Sequence, residues 1–131
     1  MATKQLSAQI PDRELAIAAW ALGMTDCSHS EIGKAIVLTA AGYTREEAKA
    51  MALSLRNTVR MTEAKSVRSF YVPEQWLKAA MDHEETPKDL SPSERFRYWC
   101  ARLTESRQEA IERAKVLQGR PRGSRKQEAT A

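Results

Sequence analysis

The feature that most constrains this chain is a pattern it runs twice. An alternating segment closed by proline leads into a helix, and a second helix then opens on serine with glutamate three residues later. In the first copy, residues 4–10 (KQLSAQI) alternate Leu6, Ala8 and Ile10 with Gln5, Ser7 and Gln9. That is the two-residue period of a strand with one buried face. Pro11 ends it and suits a first helical turn, where its missing amide hydrogen costs nothing. Asp12–Leu22 then reads as a helix with acids near its start, stopped by Gly23. Ser28 and Glu31 have capping-box spacing, and Ile32, Ala35, Ile36 and Ala40 keep one apolar face until Gly42.

The second copy begins near Ser66. In VRSFYVP, residues 67–73, Phe70 and Val72 share one strand face and Val67, Ser69 and Tyr71 the other, again before a proline. Residues 74–83 carry Trp76, Leu77, Ala80 and Met81 on a first helix, and residues 84–90 form a polar connection. Ser91-Pro92-Ser93-Glu94 then nearly repeats Ser28-His29-Ser30-Glu31, followed by Phe96, Trp99, Cys100 and Leu103. Pro11 falls on Pro73 and Leu15 on Leu77 at an offset of 62, and Ser28, Ser30 and Glu31 fall on Ser91, Ser93 and Glu94 at 63. The difference is a one-residue insertion between the helices. Arg68 against Leu6 and Arg95 against Ile32 depart from the match, but the ordered recurrence of proline, apolar phase and cap marks an internal repeat.

Between the copies, Thr44 and Glu47 form another capping pair ahead of Ala48, Met51, Ala52 and Leu55, which predicts a bridging helix over residues 44–57. A last helix is expected over residues 104–117, either separate from the preceding one or continuous with it. The expected organisation is a first unit over residues 4–43, a helical linker over 44–65, a second unit over 66–104, a C-terminal helix over 105–118 and a basic tail over 119–131. The two units are expected to form one intertwined domain. One such unit has an unpaired strand and too little core, whereas two satisfy each other's strand edges and bury four helical faces together.

KQLSAQIP with the Ser28–Glu31 start, and VRSFYVP with the Ser91–Glu94 start, resemble the ribbon–helix–helix superfamily over about eighty residues. The fold class implied is mainly α with one two-stranded antiparallel ribbon, as a tandem single-chain pseudodimer. This is broadly similar to the relaxosome accessory and T-DNA-processing members that carry tandem units. The resemblance implies double-stranded DNA as partner, with the ribbon in the major groove. Gln5, Ser7, Gln9, Val67, Ser69 and Tyr71 are the expected base contacts; an amide can donate and accept together, as adenine requires, and Val67 can meet a thymine methyl. The unlike outer faces of the two strands imply an asymmetric site. By the same resemblance, the second-helix starts at Ser28, His29, Ser30, Ser91 and Ser93 face phosphates, although capping alone also explains those serines. Lys4, Lys65, Arg68, Arg120, Arg122, Arg125 and Lys126 complete the expected backbone contacts. The process implied is plasmid or mobile-DNA handling beside a relaxase or other DNA-processing protein. Transcriptional repression and a non-catalytic protein-binding adaptor are the alternatives.

Charge fits a polyanionic partner without requiring one. The formal net charge is +4, and GRPRGSRK, residues 119–126, carries four positive charges and no acid. That stretch reads either as a solvated terminus or as an arm on phosphates. No enzyme motif stands out: there is no phosphate-binding glycine loop and no HExxH. Asp82, His83, Glu84 and Glu85 read as a solvated turn, and Cys27 with His29 is too local to imply a nucleophile and base. Two cysteines outside any CxxC pattern and two histidines argue against structural zinc and for reduced thiols, and no cofactor is expected. No apolar run spans a bilayer, and nothing near the start resembles a secretory signal, which implies a cytoplasmic location. Trp20, Trp76 and Trp99 are expected in a shared core.

Overall fold

The structure, a computed structural model, describes residues 2–54, 62–64 and 67–118, excluding the side chains of 62–64, 67–69 and 116–118. It is mainly helical, around one small antiparallel sheet. In chain order the elements are β1 (Thr3–Gln9), α1 (Asp12–Leu22), α2 (His29–Ala40), α3 (Arg45–Ser54), β2 (Thr62–Ala64), β3 (Val67–Pro73), α4 (Glu74–Asp82), α5 (Pro92–Arg102) and α6 (Arg107–Gln118).

β1 and β3 pair antiparallel over their full length, from Thr3 opposite Pro73 to Gln9 opposite Val67. The alternation in β1 is realised as written: Leu6 and Ala8 are buried, and Gln5, Ser7 and Gln9 are exposed. The prolines then turn each strand directly into a helix. α1 ends at Gly23, whose φ of 70° is a left-handed conformation open to glycine at little cost. The Gly23 amide donates to the Trp20 carbonyl and the Met24 amide to that of Ala19, so the last carbonyls are satisfied. Both second helices open on complete capping boxes. Ser28 Oγ accepts from the Glu31 amide at 3.2 Å while Glu31 Oε1 accepts from the Ser28 amide at 2.9 Å. Ser91 and Glu94 repeat this at 3.2 and 2.8 Å.

The helices pack across the copies. α2 lies against β3, α5 against β1, α1 against α5 as well as α2, and α4 against α2. α2 and α5 meet at the centre and bring Ile32, Ile36, Val37 and Leu38 from one and Phe96, Tyr98, Trp99 and Cys100 from the other into the core. Gly33 has a packing reason: a Cβ there would lie 2.4 Å from Phe70 Cζ, so the ring tip rests on the helix backbone. The other side of that ring meets Phe96, with centroids 5.5 Å apart.

A partly buried ionic cluster ties α1 to α5 and α6. Arg97 on α5, only 2% exposed, grips Glu14 on α1 through Nε at 2.9 Å and Nη2 at 2.6 Å. Arg113 on α6 reaches the same carboxylate at 3.2 Å and Glu105 at 2.9 Å. Burial pushes the Glu14 carboxyl up, but the hydrogen bonds and charges of Arg97 and then Arg113 outweigh it and hold it below its ordinary value.

The structure departs from some expectations and chooses between the alternatives left by others. The two-stranded ribbon is present as β1 and β3, but β2 extends it, pairing Thr62–Ala64 with Ser69 to Val67. This pairing satisfies part of an otherwise open edge of β3. The C-terminal helix is separate from α5 and starts at Arg107, because Ser106 and Glu109 make a further capping box with bonds of 3.0 and 3.3 Å. Trp20 is not in the core: it is 71% exposed, because α1 buries the Leu15, Ala18, Ala19 and Leu22 stripe and turns Trp20 outward. Trp76 is half-buried, and Trp99 is buried with Nε1 donating to Thr86 Oγ1 at 3.0 Å. Cys27 and Cys100 are free thiols; burial, and then the charge of Glu14, pushes Cys100 well above its ordinary value.

Candidate functional site

The outer face of the ribbon brings the expected base-contacting positions together as three cross-strand pairs: Gln5 opposite Tyr71, Ser7 opposite Ser69 and Gln9 opposite Val67. The sequence alone gives membership of a face but not this pairing. At the repeat offset, Ser7 corresponds to Ser69, Gln5 to Val67 and Gln9 to Tyr71. The sheet therefore pairs equivalent residues at its centre, and the residue two before one serine sits opposite the residue two after the other. Such a register is that of a local two-fold axis passing between Ser7 and Ser69.

Gln5, Ser7 and Gln9 are exposed, and Tyr71 is 39% exposed. The face is uncharged at these positions, so its capacity is for hydrogen bonding and for contact with a flat or methyl-bearing surface. The side chains of Val67, Arg68 and Ser69 lie outside the described residues, as do Lys65, Arg120, Arg122, Arg125 and Lys126.

The second-helix starts flank the strands. Ser93, the second residue of α5, accepts from the Gln9 backbone amide at 3.1 Å and so fixes the end of β1 to that helix. Its counterpart on α2, Ser30, is 4% exposed with its hydroxyl unpartnered. A contact to a ligand at Ser30 would therefore use the helix backbone, not the side chain. Ser28 and Ser91 are exposed and already engaged as caps. His29 is half-buried and lines a cleft of about 280 Å³ with Asp12, Leu15, Cys27 and Ile32. Lys4 leans toward α4, with Nζ 3.8 Å from Glu74 Oε2, in a pair that is largely exposed and so leaves the ammonium available to another anion.

Sequence reading missed two groups with consequences for this site. Arg97 was hidden because a lone arginine on an apolar helix face gives no sign of its partner, Glu14, far away in the chain. Gly33 did carry a signal, since an isolated glycine inside a helical pattern usually has a packing reason. Among the described residues no cluster of three or more His, Cys, Asp or Glu is placed to hold a metal ion, and no helix is long and apolar enough to cross a membrane. Comparison with protein-family models, with curated proteins and with solved structures found no match to this chain.

Proposed function

We propose that this protein is a tandem ribbon–helix–helix pseudodimer that reads double-stranded DNA with the outer face of β1 and β3. The observation that supports the reading is the cross-strand register, in which Ser7 faces its repeat equivalent Ser69, together with the exposure of Gln5, Ser7, Gln9 and Tyr71 on the outer face. A ribbon of two strands is of a size to enter a major groove. The capped starts of α2 and α5 put helix dipoles at either side, where phosphates would lie. Because Gln9 corresponds to Tyr71 and Gln5 to Val67, the two half-sites differ in chemistry, and the target is asymmetric. The basic stretch from Arg120 to Lys126 supplies sequence-independent attraction. The biological role we infer is that of an accessory factor positioning a DNA-processing enzyme, with repression as the alternative use of the same contact.

Binding measured on selected and scrambled duplexes tests this reading. Gln9→Ala and Tyr71→Ala should each reduce the preference for the selected duplex by about 1–3 kcal/mol while leaving scrambled-duplex binding nearly unchanged. Removing residues 120–126 should weaken both duplexes alike and flatten the logarithmic salt dependence by roughly 0.9 for each phosphate that the tail had neutralised. Equal weakening on both duplexes from the ribbon variants would contradict base reading by this face.

One observation favours the protein-binding adaptor as a second reading. Trp20 and Ile17, at 71% and 42% exposure, lie together on the outer side of α1. The matching positions on α4 are Asp82 and Ala79, and Asp82 is ion-paired to Lys78 at 2.8 Å. Absence of DNA selection in a folded protein would leave this face as the remaining candidate.

A further inference from the structure

We infer that the core makes the two halves complementary to each other but not to themselves, so that only unlike halves pair. This rests on the tandem-unit reading and does not require DNA binding. At the contact between α2 and β3, a helix residue without a side chain meets a large strand residue: Gly33 under the tip of Phe70. On the matching pair of elements, α5 and β1, the sizes at the corresponding positions are exchanged. Phe96 stands where Gly33 does, and Ala8 where Phe70 does, on elements that also pack together. Phe96 and Ala8 are 0% and 2% exposed, so both positions are full core sites.

The chain has two phenylalanines, and both belong to the second half. They meet in the centre at 5.5 Å between ring centroids. A pair of first halves would set Gly33 against Ala8 at both contacts and lack both rings, leaving voids that interior packing does not tolerate. A pair of second halves would set Phe96 against Phe70 at both contacts, doubling the number of rings around the same axis. Only the mixed pair has one large and one small residue at each contact. The size exchange thus enforces the unlike strand faces of the ribbon from beneath, through pockets that exclude the wrong partner.

The full chain carrying a specific protease site after Asn57 allows a direct test. After cutting, the two fragments are unfolded together, refolded by dilution and weighed as intact complexes. Pairs of one N-terminal and one C-terminal fragment should account for nearly all the mass. Phe70→Ala gives the second half a small strand residue opposite Phe96 and should raise the share of C-terminal self-pairs, although those pairs also lack Glu14 as the partner of Arg97. Ala8→Phe should do the same for N-terminal fragments, whose Gly33 can accept the ring. Self-pairs of unmodified fragments near the statistical half of all complexes would overturn the inference. The uncut chain supplies a second reading that needs no refolding of fragments. Gly33→Ala should lower the denaturation midpoint in the native background, yet raise it in the Phe70→Ala background, where the obstructing ring is gone and alanine favours the helix. A shift in the same direction in both backgrounds would equally overturn it. Failure to select DNA alongside the predicted pairing would count against the proposed function alone.

Discussion

Glu14 and Arg97 join α1 to α5 through a largely buried ion pair. Arg97 is 2% exposed and Glu14 17%, so removing one partner strands a charge that water cannot reach. Glu14→Gln should destabilise the protein by about 3–5 kcal/mol, the usual cost of breaking a buried pair by one side. The sign of the pH effect follows from the lowered Glu14 pKa. The carboxylate contributes stability above its ordinary unfolded value of 4.5, and that contribution is lost as pH falls through the lower folded value. Denaturation midpoints of the native protein should therefore fall across that acid range, and those of Glu14→Gln should fall less steeply. Parallel acid profiles would show that another carboxylate governs the transition. Lys34 stands at the position matching Arg97, and there burial lowers the ammonium pKa, with the charge of Glu31 offsetting it in part. The two copies thus share a cation site but differ in how they neutralise it.

Among the elements, α2 and α5 separate two roles that sequence alone runs together. Ser28 and Ser91 cap their helices, and the same helix starts are where phosphates would lie in the proposed complex. Ser28→Asp and Ser91→Asp distinguish these roles, because aspartate caps as well as serine and suits the positive end of the dipole. Thermal stability should hold or rise slightly, while affinity for any duplex should fall about fivefold per site from ~1 kcal/mol of repulsion by a nearby phosphate. Unchanged affinity would confine the serines to capping. Local signals made most elements legible: the alternation of residues 4–10, the two prolines, Gly23 and the serine–glutamate pairs all act within a few residues of themselves. The orientation of Trp20 and the third strand were not legible. Each depends on which surfaces remain uncovered after assembly, and local spacing does not specify that. The candidate face could be read as two sets of residues, but the pairing of Ser7 with Ser69 required the strands to meet.

At the scale of the molecule, α2 packs on β3 and α5 on β1, so elements from both ends of the chain share one core. In the proposed pseudodimer, covalent linkage removes the concentration dependence that two separate chains would face. The halves of that pseudodimer differ on the outer face of the ribbon, in Gln9 against Tyr71, and on the helices beneath it, in Gly33 against Phe96. In the proposed function, one such chain reads one asymmetric DNA site. The decisive experiment is selection from random duplexes, followed by the mass of the complex on the enriched sequence. A non-palindromic consensus bound by one chain is the expected result. No enrichment at low salt by the folded protein, or a palindromic site occupied by two chains, would contradict it.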